Sequence, residues 1–179
     1  KLKSAVVKDR NRRWKASQSG EILDLRRTIR QSSRSLGMNV RLPKKTRSLS
    51  ARSVVMLLDI SGSMARYSRA ALHLAFLLSK DRPVSVFTFG TRLSNISQAF
   101  RHKDIDDALN EVTRLAPDWE GGTKIGEAIT EFNLLWARRI LVRKSTVFLV
   151  TDGLERGSPE VLASAIGRLV KFSSEVIWL

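Results

Sequence analysis

From Ser53 to Leu179, short continuous apolar runs alternate with stretches whose apolar residues recur every three or four positions. This alternation confines the chain to a layered α/β architecture, because uninterrupted apolar runs suit strands covered on both faces. The runs Ser53–Leu58, Val84–Phe89, Ser145–Val150 and Glu175–Leu179 read as strands. Leu93 to Ile96 reads as a short edge strand reached through Gly90-Thr91. Helical spacing predicts four helices between them. The first runs from Ala65 to Lys80, with Tyr67, Ala70, Ala71, Leu74, Leu77 and Leu78 on one side. The second begins near Asp104, whose acidic start suits the positive end of a helix dipole, and is lined by Ile105, Ala108, Leu109 and Val112. The third carries Ile125, Ala128, Ile129, Phe132, Leu135 and Trp136. The fourth is opened by Ser158-Pro159-Glu160 and lined by Leu162, Ala165, Ile166 and Leu169. Right-handed crossovers then give a doubly wound, mostly parallel sheet with helices on both faces, and ligands bind beyond the carboxyl ends of its strands.

The charge divides the chain. Residues 1–52 hold 16 Lys and Arg against Asp9, Glu21 and Asp24, a net +13, whereas residues 53–179 are nearly neutral at +2. Residues 1–50 therefore read as a basic N-terminal arm, and 51–179 as the folded domain. Within the arm, Glu21 to Leu36 is expected to form a helix stopped by Gly37, and Pro43 with Lys44-Lys45 a linker. Trp14 sits in a basic cluster from Lys8 to Lys15. With no cysteine there is no disulfide, zinc-thiolate site or thiol nucleophile. That absence fits a reducing compartment, and a cytoplasmic location is the expectation. No run is long and apolar enough to span a bilayer, and residues 1–13 lack the apolar stretch of a signal peptide. The chain opens on Lys1 and stops inside an apolar run, so a fragment of a longer protein, truncated at its C-terminus, is expected.

Three loops at strand ends carry the chemistry. Asp59-Ile60-Ser61-Gly62-Ser63 offers one carboxylate and two hydroxyls at alternate positions, with Gly62 to turn the backbone beneath them. Gly121-Gly122-Thr123 places a hydroxyl at a helix start, and Thr151-Asp152-Gly153 follows the third strand. Alone, Thr123 is accounted for as a helix cap and Asp152-Gly153 as a turn. Together, Asp59 and Asp152 project from one sheet edge, and an oxygen-only set suits a hard cation such as Mg²⁺.

Enzyme chemistry finds little support. A phosphoryl-transfer site with an aspartate nucleophile usually wants a second acid two residues later, where this chain has Ser61. His73 shares a helical face with Arg69, Phe76 and Lys80, and His102 lies between Arg101 and Lys103, so both read as solvated. Neither Gly-x-Ser-x-Gly nor a phosphate-binding Gly-x-x-x-x-Gly-Lys-Ser/Thr loop occurs.

The set Asp-x-Ser-x-Ser, then Thr, then Asp resembles the metal-ion-dependent adhesion site of von Willebrand factor A (VWA) domains. A narrower resemblance is to the CoxE-like VWA proteins. It rests on Asp24 to Arg30 with Arg34 and Gly37, Tyr67-Ser68-Arg69, Phe87 to Leu93, Trp119 to Glu127, and Val176 to Leu179. The resemblance implies a Rossmann-like fold with one antiparallel edge strand, and Asp59, Ser61, Ser63, Thr123 and Asp152 as the metal-site residues. It also implies Mg²⁺, with Mn²⁺ or Ca²⁺ as alternatives, and a MoxR-type AAA+ ATPase partner. Family members assist the maturation or metal loading of a target enzyme, such as a molybdenum-containing carbon monoxide dehydrogenase.

The mechanism so implied is recognition without turnover, with a partner's Asp or Glu completing the shell. Arg66 and Arg69 follow the first loop and could steer that acid, or form a solvated helix start. Trp119 borders the second loop and is open to either a partner contact or core packing; Trp136 and Trp178 read as core. The alternative function is nucleic-acid or anionic-surface binding by the basic arm, with Trp14 stacking on a base.

Overall fold

The computed structural model describes residues 8–34, 42–116, 123–141 and 145–179. The loop Pro117–Gly122, including Trp119, and Gly37 lie outside the described residues. The chain divides into two compact units, one made by residues 8–51 and one containing Arg52–Leu179.

In the first unit, β1 (Lys8–Ser17), β2 (Ile22–Leu23) and β3 (Lys44–Ala51) form an antiparallel sheet ordered β1-β3-β2. Lys44-Lys45, expected as linker, therefore begins a strand. Its charged side chains hid the pairing, because no apolar face alternates along β3. Trp14 supplies what cohesion the pattern lacks, with Lys45 Nζ and the Arg47 guanidinium each 5.4 Å from its ring centroid. The helix α1 (Leu25–Arg34) starts later than the expected Glu21. Ile22 and Leu23 pair with β3 instead, and the Asp24 carboxylate accepts from Arg27 N at 3.2 Å, which sets the cap.

The second unit is built on β4 (Val54–Asp59), β5 (Val84–Phe89), β6 (Leu93–Asn95), β7 (Thr146–Val150) and β8 (Glu175–Trp178). They are ordered β6-β5-β4-β7-β8, all parallel except the edge strand β6. The strand β4 is central and entirely buried. Alternation along it sends Val54, Met56 and Leu58 into one core with α2 (Ala65–Asp81) and α3 (Ile105–Leu115). Val55 and Leu57 enter the other, with α4 (Ile125–Phe132) and α6 (Pro159–Phe172).

Two helix faces differ from the periodicity reading. On α2 the buried positions are Ser68, Ala71, Leu72, Ala75 and Phe76, while Tyr67, Ala70 and Leu77 face solvent. Both stripes are apolar, so spacing alone does not choose between them. Beyond α4 the chain makes a π-turn over Asn133–Ala137 before the single helical turn α5 (Arg138–Ile140). The extra residue of the π-turn rotates the following side chains, so Asn133 and Ala137 are buried and Leu135 points out. Trp178 also departs from the core reading, being 46% exposed with its Nε1 donating to Thr151 O at 3.4 Å.

Ser158 caps α6 by accepting from Val161 N at 3.4 Å, and its hydroxyl donates to the Glu160 carboxylate. That hydroxyl, then Glu160's own N–H, hold the Glu160 carboxyl below its ordinary 4.5. A lowered folded value stabilises fully above the unfolded one and fades as the pH falls through it. Ser158→Ala is expected to cost about 1 kcal/mol at neutral pH, read from the urea midpoint. The deficit should narrow in acid, since the Glu160 share of the contact is lost there in both proteins.

Candidate metal centre

The site is assembled where β4 and β7 end side by side. Asp59 is the last residue of β4 and is fully buried. Its Oδ1 accepts from Ser61 N at 2.9 Å and from the Thr123 hydroxyl at 3.3 Å. Its Oδ2 accepts from the Thr151 hydroxyl at 2.8 Å. Gly62–Met64 then forms one short 3-10 turn into α2, closed by Met64 N donating to Ser61 O at 2.9 Å. A Cβ on Gly62 would meet nothing within 4 Å, so this turn does not depend on glycine as the sequence reading expected. The left-handed backbone lies at Gly153 instead, with φ of 79°.

Across the loops, the Ser61 and Ser63 hydroxyl oxygens are 3.2 Å apart, and Ser63 donates to Asp152 Oδ2 at 2.8 Å. The other Asp152 oxygen accepts from Leu154 N at 3.1 Å. Asp59, Ser61, Ser63, Thr123 and Asp152 thus form one connected cluster from three separated stretches. Among the described residues no basic side chain forms an ion pair with Asp59 or Asp152, and no group of three or more His, Cys, Asp and Glu clusters elsewhere.

The donor set fits a hard divalent cation. Neighbouring oxygens of an octahedral shell with bonds of about 2.1 Å lie about 3.0 Å apart. The spacings of 3.2 Å for Ser61–Ser63 and 2.8 Å for Ser63–Asp152 bracket that value. A buried carboxylate with a second one close by, faced only by hydroxyls and N–H groups, is stabilised by a cation.

Three contributors escaped the sequence reading of the site. Thr151 donates its hydroxyl to Asp59 Oδ2. Ser68, buried on α2, donates to Asp59 O at 2.5 Å and to Met64 O at 2.9 Å, tying the first loop to the helix. Glu155 accepts from Gly126 N at 2.7 Å, and Arg156 N donates to Thr123 O at 3.2 Å, which clamps the third loop to the start of α4. The sequence signal for Ser68 is a serine among inward positions of an otherwise apolar helix; Glu155 leaves none. Arg66 and Arg69 are exposed on the first turns of α2. An apolar cavity of about 460 Å³, lined by Met64, Tyr67, Leu74, Val150 and Leu179, opens beside Asp152.

The sequence matches the family model described as VWA domain containing CoxE-like protein over residues 1–179. No curated protein matches it. Among solved structures, a von Willebrand factor type A protein from Catenulispora acidiphila is similar with TM-score 0.50 and 20% identity, over 75% of this chain and 36% of that one. An aerotolerance-related membrane protein from Bacteroides fragilis, carrying multiple mutations to serines, gives 0.47 and 20%, over 70% and 66%. Proximal thread matrix protein 1 from the mussel byssus, with a zinc-occupied MIDAS motif, gives 0.47 and 14%, over 72% and 38%. The first of these supports the fold, and the present chain spans about a third of its length. With a mostly parallel sheet edged by one antiparallel strand, and a family match along its whole length, this chain belongs to the VWA domain containing CoxE-like proteins.

Proposed function

We propose that the chain is a non-catalytic, metal-dependent protein-binding adaptor, whose cation is held by Asp59, Ser61, Ser63, Thr123 and Asp152. The observation that carries this reading is the buried Asp59 carboxylate, which makes no ion pair among the described residues and is linked to Asp152 through the Ser61 N–H and then the Ser61 and Ser63 hydroxyls at ligand-like spacing. Mg²⁺ is the ion of choice, with Mn²⁺ and Ca²⁺ as alternatives. The two carboxylates balance a divalent charge, but the five donors leave a sixth octahedral position, and with neutral hydroxyls among its direct ligands the cation keeps its pull on an incoming carboxylate. Asp59, locked by three donors, fixes the inner side of the site. Ser61, Ser63 and Asp152 form the accessible rim, and Arg66 and Arg69 raise the local attraction for an acidic partner. Trp119, four residues before Thr123 in the sequence, is proposed as a partner contact, with core packing as the alternative.

We propose a MoxR-type AAA+ ATPase as the partner and, as the target, a metalloenzyme that needs maturation or metal loading, such as a molybdenum-containing carbon monoxide dehydrogenase; membership of the CoxE-like family supports this reading. The cytoplasm is the compartment this role requires. Among the described residues no helix is long and apolar enough to cross a membrane.

Capture from the native host with and without chelator, followed by titration of the recovered ATPase or enzyme, tests the proposal. Binding is expected to fall at least about tenfold on chelation, and likewise in Ser63→Ala with Mg²⁺ present. Undiminished binding in both arms overturns it.

A further inference from the structure

The second charged feature of the chain lies outside the metal centre. On α1, Arg26, Arg30 and Arg34 recur every four residues and so line one face, with Arg27 beside them. All four are exposed. Leu25 and Ile29 form the adjacent stripe, and each is 65% exposed. The helix rests on its own unit through the half-buried Asp24, Thr28 and Ser32, leaving both the apolar and the arginine stripe outward.

This arrangement is unfavourable for a helix in water. Arginines one turn apart repel, the Asp24 cap is the one acid at the helix start, and an apolar stripe faces solvent. No salt bridge relieves these arginines among the described residues. The basic surface continues past the helix, because Arg27 and Lys44 line one cleft of about 500 Å³. Residues 8–51 as a whole carry 13 Lys and Arg against three acids.

We propose that α1 is a membrane-surface anchor that lies on anionic phospholipid, with Leu25 and Ile29 entering the headgroup boundary and Arg26, Arg27, Arg30 and Arg34 pairing with lipid phosphates. Charge complementarity requires a polyanion, and guanidinium forks match phosphate oxygens bidentately. The exposed apolar stripe beside the arginines selects a lipid surface over a nucleic acid. A nucleic-acid backbone offers nothing for Leu25 and Ile29, whereas an interfacial helix buries such a face while its basic face meets anionic headgroups. Trp14, partly exposed between Lys45 and Arg47, adds an aromatic of the kind favoured at that boundary.

The test is flotation of the full chain with vesicles, in chelator throughout so that the metal centre plays no part. Vesicles of phosphatidylcholine alone are compared with vesicles containing one part in four of phosphatidylglycerol. Binding is expected on the anionic vesicles only, and is lost in about 0.5 M salt. Replacing the four arginines (Arg26→Gln, Arg27→Gln, Arg30→Gln, Arg34→Gln) is expected to weaken it about tenfold or more. The pair Leu25→Ser and Ile29→Ser is expected to weaken it several-fold with the charge unchanged. These six side chains are on the surface, and an unchanged melting temperature verifies each fold. Equal binding to neutral vesicles, no effect of either variant, or retention of a single-stranded oligonucleotide in preference to the vesicles overturns the proposal.

Discussion

Asp59→Asn is expected to lower divalent-cation affinity by about one to two orders of magnitude or more, and to do so without unfolding the protein. The asparagine has the shape of the aspartate and can keep its hydrogen bonds. Its amide oxygen accepts from Ser61 N and the Thr123 hydroxyl, as Asp59 Oδ1 does at 2.9 and 3.3 Å. Its amide nitrogen can donate to the Thr151 hydroxyl, which turns round from donor to acceptor across the same 2.8 Å. Only the buried charge disappears. Thermal melting separates the two effects. A ligand that binds only the folded state at a hundred times its Kd stabilises by about 2.7 kcal/mol. The melting temperature of the natural protein should therefore rise with Mg²⁺, and that of Asp59→Asn should not. Equal rises in both proteins would place any cation elsewhere.

Phe87→Ala should be the most damaging single truncation of the core, at about 3–5 kcal/mol. Phe87 sits on β5 with no exposed surface. Its ring meets Phe132 edge-on at 5.1 Å and Trp136 at 5.4 Å. Both partners flank or enter the π-turn, so Phe87 holds the irregular segment against the sheet. Two residues further on, Phe89 O accepts from Ile60 N, inside the first loop of the candidate metal centre. A loss of this size consumes much of the 5–15 kcal/mol typical of a folded domain. Urea unfolding measures it; a change below about 1 kcal/mol would mean that the aromatic cluster is not packed as described.

Much of the second unit was legible because its strands are unmistakable. Val54–Leu58 and Val147–Val150 are apolar without interruption, Val84–Phe89 is broken only by Ser85 and Thr88, and in a chain of this length they have few arrangements available. Local chemistry marked the helix starts, with Asp104 accepting from Asp106 N at 2.7 Å and Ser158 capping α6. What escaped had physical reasons. The face of α2 was ambiguous because Tyr67, Ala70 and Leu77 are as apolar as Leu72 and Ala75. The π-turn at Asn133–Ala137 leaves no residue pattern, so plain helical spacing puts Leu135 one step too far round, on the buried side. The strands β1 and β3 are built from charged residues and pair through backbone and through Trp14 with its cations, which periodicity does not see. At the candidate metal centre, hydrogen bonds link the five residues expected to ligate, Asp59, Ser61, Ser63, Thr123 and Asp152, into one cluster. Thr151 and Glu155 act through hydrogen bonds to a side chain and to backbone N–H groups, contacts that leave no pattern in the sequence.

The most direct measurement is the anomalous scattering map of a crystal soaked in Mn²⁺. The account predicts one strong peak at the ends of β4 and β7, within bonding distance of the Ser61 and Ser63 hydroxyls and close to Thr123, Asp59 and Asp152. It also predicts that the peak vanishes in Asp59→Asn. A map without a peak there at saturating Mn²⁺, or one with the five side chains turned away from a common point, would contradict it.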